Sequence, residues 1–245
     1  MKNVLKFNLI TRLTMIFLMV SSVSSVYAED SGIEELRAAL AKTLPQAAKA
    51  SITKTPVEGL YQVMAGSQIM YMTKDARYIL EGDLYDMQNR KNITEDARGS
   101  LRLGALNKLG EDNMLVYLPK GKVKHTITVF TDIYCPYCRK LHNEMGDYMN
   151  NGVKVRYIFV PFKGAKSVQA SVSVWCAKDR TKAMDLAKSG KTLDKKTCDN
   201  PVSKHQALAA ELGIRGTPAI MLENGTLMPG YVPSNKVIEQ LNTDL

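Results

Sequence analysis

Two cysteines separated by two residues, Cys135 and Cys138, sit where a β-like run, Thr126 to Phe130, gives way to a helix-compatible segment, Arg139 to Met149. That placement has chemical consequences. The N-terminus of a helix carries partial positive charge and unpaired N–H groups, and both stabilise a thiolate on the first cysteine. Pro136 suits the first helical turn, because its missing N–H would have lacked an intrahelical partner anyway. A thiolate at Cys135, with a second thiol at Cys138 one turn away, is a nucleophile with its resolving partner in place. That is the arrangement thiol–disulfide exchange needs. As half of a zinc site the same pair would need two further ligands. Cys176 and Cys198 have 21 residues between them and form no second Cys-x-x-Cys, and His142 has no second histidine nearby. No metal is assigned.

Further motifs extend the pattern. Val129-Phe-Thr-Asp132 precedes the cysteine pair and Arg139-Lys-Leu-His142 follows it. Downstream come Trp175-Cys-Ala-Lys-Asp179, Gly216-Thr-Pro-Ala219, and Asn224-Gly-Thr-Leu227 followed by Pro229-Gly-Tyr231. On these residues the chain resembles the bacterial periplasmic protein-disulfide isomerases of the DsbC/DsbG family. The likeness covers nearly all of the chain after its leader, more weakly over the first 65 residues or so. It implies an α+β protein: a thioredoxin-like catalytic domain with a helical insertion, preceded by a small α+β, cystatin-like dimerisation domain and a linker helix. It also implies a cis-proline at Pro218 facing a redox-active Cys135–Cys138 pair. Pro136, Tyr137, Thr217 and Pro218 would then line the site, and no cofactor is required. The implied partners are misfolded or mis-oxidised secreted proteins, a membrane thiol reductase of the DsbD type, and a second copy of the chain.

Two departures from the family pattern bear on chemistry. The dipeptide Pro136-Tyr137 matches the DsbG branch, where the isomerase branch typically has Gly-Tyr, yet the extra cysteine pair matches DsbC. An isomerase, a reductase of sulfenylated cysteines and a disulfide-donating oxidase therefore stay open, as does a dimeric holdase in which the cysteines are secondary. Thioredoxin's buried acid six residues before its first cysteine is replaced by Val129. Asp132 is read as a loop or capping residue, and Arg139, Lys140 and His142 as a solvent-facing helix surface. His125 and His205 have no evident partners in the sequence.

Residues 1–28 read as a secretory signal: Lys2, Lys6 and Arg12, a mostly apolar run from Leu13 to Val20, and the small-residue site Val26-Tyr27-Ala28. The apolar run is too short to span a bilayer. Removing 28 of 245 residues leaves 217, exported to the periplasm, where disulfides persist. The whole chain carries a net charge of +9, and the leader holds three basic and no acidic residues, which leaves +6. The remaining basic residues are scattered singly or in pairs. That pattern excludes the clustered footprint of a nucleic-acid binder, and no other stretch is long and apolar enough for membrane insertion.

The elements that must position the cysteines follow in order. Residues 29–92 form the N-terminal dimerisation domain. It opens on Ser31-Gly32-Ile33-Glu34, a capping-box pattern, with Ile33, Leu36, Leu40 and Leu44 at helical spacing. Short strands are expected over Gly59–Ala65, Gln68–Thr73, Arg77–Gly82 and Leu84–Met87, separated by turn residues. Residues 93–112 are the linker helix, in which Gly99 and Gly104 each cost about 1 kcal/mol relative to Ala and suggest a bendable hinge. Residues 113–245 are the thioredoxin-like catalytic domain. Its strands are Val116–Leu118, Thr126–Phe130, Val153–Val160, Ala219–Leu222 and Thr226–Leu227, with a long helical region over Val168–Lys188 and a last helix over Pro233–Leu241. Cys176 and Cys198 lie in the helical insertion. In an exported protein they pair as a structural disulfide, the alternative being a second redox pair. Ten methionines remain after the leader, including Met70 and Met72 on one strand face, and suit either an adaptable cleft or core filling.

Overall fold

A computed structural model of the chain describes residues 31–47 and 49–243. The expected signal segment, 1–28, lies outside them. The first helix, α1 (Ser31–Thr43), buries Leu36 and Leu40, while Leu44 beyond its end is exposed. It packs on an antiparallel sheet of four strands in the order β1 (Ser51–Lys54), β2 (Leu60–Ala65), β3 (Gln68–Thr73) and β4 (Ile79–Leu80). β1 is a strand without a sequence expectation, because four residues with only Ile52 buried offer no alternation to read. The runs expected over Arg77–Gly82 and Leu84–Met87 shrink to β4 and to β5 (Tyr85–Asp86), which pairs with β6 (Lys91–Asn92). Met72 is buried and Met70 packs beside it, in a core with Leu36, Leu40, Ile52 and Val63. Met72 thus fills a core, with the half-buried Met70 packed against it.

The helix α2 (Ile93–Leu109) begins on Asn92, whose side-chain oxygen accepts the Glu95 N–H at 3.0 Å. That bond satisfies one orphan donor of the first turn. Near this end the Thr94 hydroxyl accepts the Leu84 N–H at 2.8 Å and meets the Tyr71 hydroxyl of β3 at 2.5 Å. Near the other end Leu106 is buried with Phe130, Ile158 and Leu208. The two glycines do not behave alike. Gly104 faces open space, but Gly99 is buried against the backbone of Asn224 and Gly225, a close approach that leaves no room for a side chain. Gly99 is thus a packing glycine on an unbroken helix.

After α2 the chain builds a five-stranded sheet. Its elements in order are β7 (Leu115–Tyr117), β8 (His125–Thr131), α3 (Pro136–Asn143), α4 (Met145–Asn150), β9 (Val153–Phe159), α5 (Ala165–Trp175), α6 (Arg180–Lys188), α7 (Val202–Glu211), β10 (Ala219–Met221), β11 (Leu227–Pro229) and α8 (Ser234–Thr243). The strand order is β11-β10-β8-β9-β7; β8 and β9 are parallel, and the other pairs antiparallel. Central β8 is buried on both faces. Ile127 and Val129 join Leu141, Tyr148, Val174, Met184 and Val237 on one side, whereas Phe130 joins Leu106, Leu208 and Ala209 on the other. This explains the near-continuous apolar run that ends at the cysteines.

The single helical region expected over Val168–Lys188 is two helices. Asp179 breaks it by capping α6, its carboxylate accepting the Lys182 N–H at 3.0 Å. Helix α7 is also without a sequence expectation. Its inward positions Val202, His205, Leu208 and Ala209 include a histidine and a small residue, so its apolar stripe is weak.

Candidate active site

Strand β8 carries the chain to the buried Thr131 and Asp132, and a short turn then delivers Cys135 to the start of α3. Cys135 is the N-cap, in extended conformation (φ −73°, ψ 123°), and Pro136 occupies the first helical turn. Both cysteines are free thiols; Cys135 is 7% exposed and Cys138 1%. The only cis peptide bond among the described residues is Thr217–Pro218. It sits just before β10, and the register of β10 on β8, with Ala219 opposite Phe130, holds it against the cysteine turn. The Cys135 thiol donates to the Thr217 carbonyl oxygen at 3.2 Å. Six residues singled out in the sequence, Cys135, Pro136, Tyr137, Cys138, Thr217 and Pro218, thus belong to one turn and the loop facing it.

The two sulfurs are in unequal surroundings. Burial acts to raise the Cys135 thiol, but the Cys138 N–H and side chain, the Thr217 side chain and the Tyr137 N–H outweigh it and bring the thiol below its ordinary value. For Cys138 burial wins. Its thiol lies above the ordinary value although the Lys188 charge, the Asp132 N–H and the Thr131 and Thr217 side chains act the other way. The pair therefore offers one sulfur suited to be a thiolate and one held as a thiol. This is the asymmetry a nucleophile and its resolving partner require.

Asp132 holds the loop. Its carboxylate accepts the Tyr134 N–H at 2.8 Å, the Lys163 N–H at 3.0 Å and the Ser167 hydroxyl at 2.6 Å. Exposed Tyr137 stacks on Tyr231, with ring centroids 6.4 Å apart, and the Lys140 ammonium lies 4.4 Å from the same Tyr231 ring.

Four residues read from the sequence as exposed or unpartnered are not. Arg139 is half-buried, its Nε donating to the Ile133 carbonyl at 3.2 Å. His142 is buried between the Tyr157 hydroxyl and Asp185, each at 3.0 Å. His125 lies 2.9 Å from Glu223 and 3.2 Å from Asn242. His205 is fully buried; its Nδ1 accepts the Phe159 N–H at 3.2 Å, so its Nε2 carries the proton donated to the Asn113 carbonyl at 2.6 Å. Lys188 enters the sequence reading only as the end of an expected helix, with no role at the site. It is 2% exposed, and its ammonium donates to the Thr131 hydroxyl at 2.6 Å and to the Asp132 carbonyl at 2.8 Å. A signal existed: Lys188 stands four residues after Met184 and one after Ala187, on the apolar stripe of α6.

Away from the site, Cys176 and Cys198 form a disulfide with Cα atoms 5.7 Å apart. Among the described residues no cluster of three or more His, Cys, Asp or Glu side chains could hold a metal ion. No described helix is long and apolar enough to cross a membrane.

A free Cys-x-x-Cys at a helix start, facing a cis-proline loop across a mixed five-stranded sheet, defines a thiol–disulfide oxidoreductase of the thioredoxin fold. Residues 112–243 match the family described as thioredoxin-like domain, and residues 26–95 match the disulfide bond isomerase protein N-terminal domain. The chain is 37% identical over 231 residues to the thiol:disulfide interchange protein DsbC of Escherichia coli K12, covering 93% of this chain and 94% of that protein. It is 41% identical over 221 residues to DsbC of Salmonella typhimurium, covering 89% and 90%. A disulfide interchange protein from Neisseria gonorrhoeae has a similar crystal structure, with a TM-score of 0.50 and 28% identity, covering 55% of this chain and 96% of that one. The chain belongs to the DsbC family of thiol:disulfide interchange proteins.

Proposed function

We propose that this chain rearranges wrong disulfides in secreted proteins, with Cys135 as the nucleophile and Cys138 as the resolving thiol. The carrying observation is the contrast between the two sulfurs: Cys135 at the helix N-terminus with a lowered thiol, Cys138 buried beneath it with a raised one. In the first step the Cys135 thiolate attacks a client disulfide, forming one S–S bond to the client and releasing a client thiolate. If that thiolate attacks another client disulfide, and the client thiolate so released attacks the client sulfur bonded to Cys135, the net result is isomerisation and Cys135 leaves as a thiolate again. If instead Cys138 attacks Cys135, the client leaves reduced and the pair is oxidised by two electrons. Thr217 and cis-Pro218, with Pro136 and Tyr137, line the surface that the client disulfide meets.

In the same reading residues 29–92 are a dimerisation domain, 93–112 the linker helix and 113–245 the catalytic domain. The Cys176–Cys198 bond is structural. The working compartment is the periplasm, the form is a homodimer, and a membrane thiol reductase of the DsbD type returns the pair to the dithiol state. The likeness to DsbC proteins along nearly the whole chain supports these assignments.

Refolding of a scrambled multi-disulfide client tests the proposal. Cys135→Ala is expected to abolish recovery. Cys138→Ala is expected to keep part of it and to accumulate client-linked protein on non-reducing gels. Recovery that survives Cys135→Ala rejects the redox reading in favour of a holdase.

A further inference from the structure

The helices α3 and α6 lie side by side, and two pairs of residues face each other across them. Asp185 of α6 meets His142 of α3 at 3.0 Å. One turn further, three residues on along α6 and four residues back along α3, Lys188 comes opposite Cys138. Residues three and four apart share a helix face. Lys188 is buried, and its ammonium is fastened to Thr131 and Asp132, the two residues that lead into the cysteine turn.

A buried ammonium is costly unless it is paired and hydrogen-bonded. Among the described residues no carboxylate forms an ion pair with it: Asp132 offers its carbonyl oxygen, while its carboxylate is spent on Tyr134, Lys163 and Ser167. The groups that face Lys188 are Thr131 and Asp132 from the end of β8 and its loop, and Cys135, Cys138, Arg139 and His142 from α3. Asp185 lies one turn back on its own helix. Of the two thiols that face it, Cys138 has the less access to water, and the Lys188 charge favours its thiolate.

We propose that Lys188 is a positioning residue for the resolving step: anchored on the Thr131 hydroxyl, it sets positive charge beside Cys138 and supports that sulfur as a thiolate. The inference rests on the assignment of Cys138 as the resolving thiol. In the step it serves, Cys138 gives its proton to solvent and its sulfur attacks the Cys135 sulfur of a mixed disulfide. The Cys135–client bond breaks, the Cys135–Cys138 bond forms, and the client sulfur leaves with the electron pair and takes a proton from water. Lys188 neither gains nor loses a proton. Its influence is consistent with the directions of titration: Lys188 favours the Cys138 thiolate, and burial brings Lys188 itself down to about 8, so that it still carries charge at neutral pH.

Reduced full-length protein mixed with dithiobis(nitrobenzoic acid) in a stopped-flow instrument separates the two steps. Attack by Cys135 releases one coloured thiolate in a second-order phase. Resolution by Cys138 releases another in a first-order phase. For Lys188→Met the first phase is expected to keep its rate within about twofold. The second is expected to slow about tenfold at neutral pH and to shift its pH midpoint upward by about one unit, as loss of one supporting charge dictates. Lys188→Gln is expected to act in the same direction, with Lys188→Arg keeping the charge and the rate, and it carries the test if Lys188→Met does not fold. An unchanged second phase, or equal slowing of both phases, overturns the role of Lys188 alone. Absence of a second release in the wild-type protein overturns the assignment of Cys138 itself.

Discussion

The backbone of Gly99, in the middle of α2, lies against Gly225 at the tip of the β10–β11 hairpin, so closely that a methyl group on Gly225 would fall on the Gly99 carbonyl. Arg102, one turn along α2, donates to the Gly225 carbonyl at 3.1 Å. Gly225 also has a φ of +87°, a region costly to any residue with a Cβ. The linker helix is therefore seated on the catalytic sheet by two glycines and one arginine. Gly225→Ala is expected to destabilise the protein by about 1–3 kcal/mol, from backbone strain and the lost contact. Gly104→Ala, five residues along the same helix in open space, is expected to stabilise it by about 1 kcal/mol. Denaturant unfolding of the two variants checks the contrast, and equal effects would remove the packing argument.

His205 links stability to acid. Burial holds its imidazole neutral, with its pKa brought down from 6.5 to about 4. Between those values the unfolded chain binds a proton that the folded chain refuses, so stability is full above about 6.5 and falls as pH drops toward 4. The window corresponds to about 3 kcal/mol. His205→Gln is expected to be less stable at neutral pH, because it gives up the bonds to Asn113 and Phe159, but to lose less on acidification. Guanidinium midpoints at pH 7 and near pH 4.5 for the two proteins measure the difference, and parallel losses would exclude His205 as the source.

The Cys176–Cys198 bond closes a loop with a sequence separation of 22, across the end of α5 and the whole of α6. In the chain-entropy account such a crosslink contributes about 3 kcal/mol by restricting the unfolded chain. The double variant Cys176→Ala, Cys198→Ala is expected to lose that amount. It is expected to keep both phases of thiolate release from dithiobis(nitrobenzoic acid), because neither sulfur faces Cys135. Loss of the first phase alone would place the bond in the catalytic machinery.

What could be read in the chain beforehand follows from how local each feature is. The Cys135–Cys138 turn, the Thr217-Pro218 step and the Asn224-Gly225 hairpin are set by neighbouring residues, and all three stand where their motifs put them. Strand β3 matches its expected bounds because Gln68–Thr73 is framed by turns on both sides. β1 and α7 are held by tertiary packing more than by their own pattern, so periodicity could not show them. Side-chain partners were the least legible. His142 meets Asp185 across 43 residues, His125 meets Glu223 across 98, and Lys188 reaches Thr131 across 57. Such pairings are products of the topology. The same holds for Gly99, whose reason lies 125 or so residues away in a hairpin on another strand pair.

Tyr148, on α4, carries a fully buried hydroxyl with no hydrogen-bond partner among the described residues. Burial, followed by the nearby Glu144, Tyr231 and Asp147, drives its ionisation far above the ordinary range, so the group stays neutral. A buried hydroxyl without a partner forfeits its water contacts and gains nothing in exchange, at a cost of about 1–3 kcal/mol. The ring itself belongs to the main core, with Leu141, Val153 and Leu241. Tyr148→Phe keeps that packing and removes only the oxygen. It is expected to leave stability unchanged or to raise it by about 1 kcal/mol, read from denaturant midpoints at constant m-value. A loss of stability would mean that the hydroxyl is satisfied in solution, by an ordered water for which crystallography of the protein would then be the direct check.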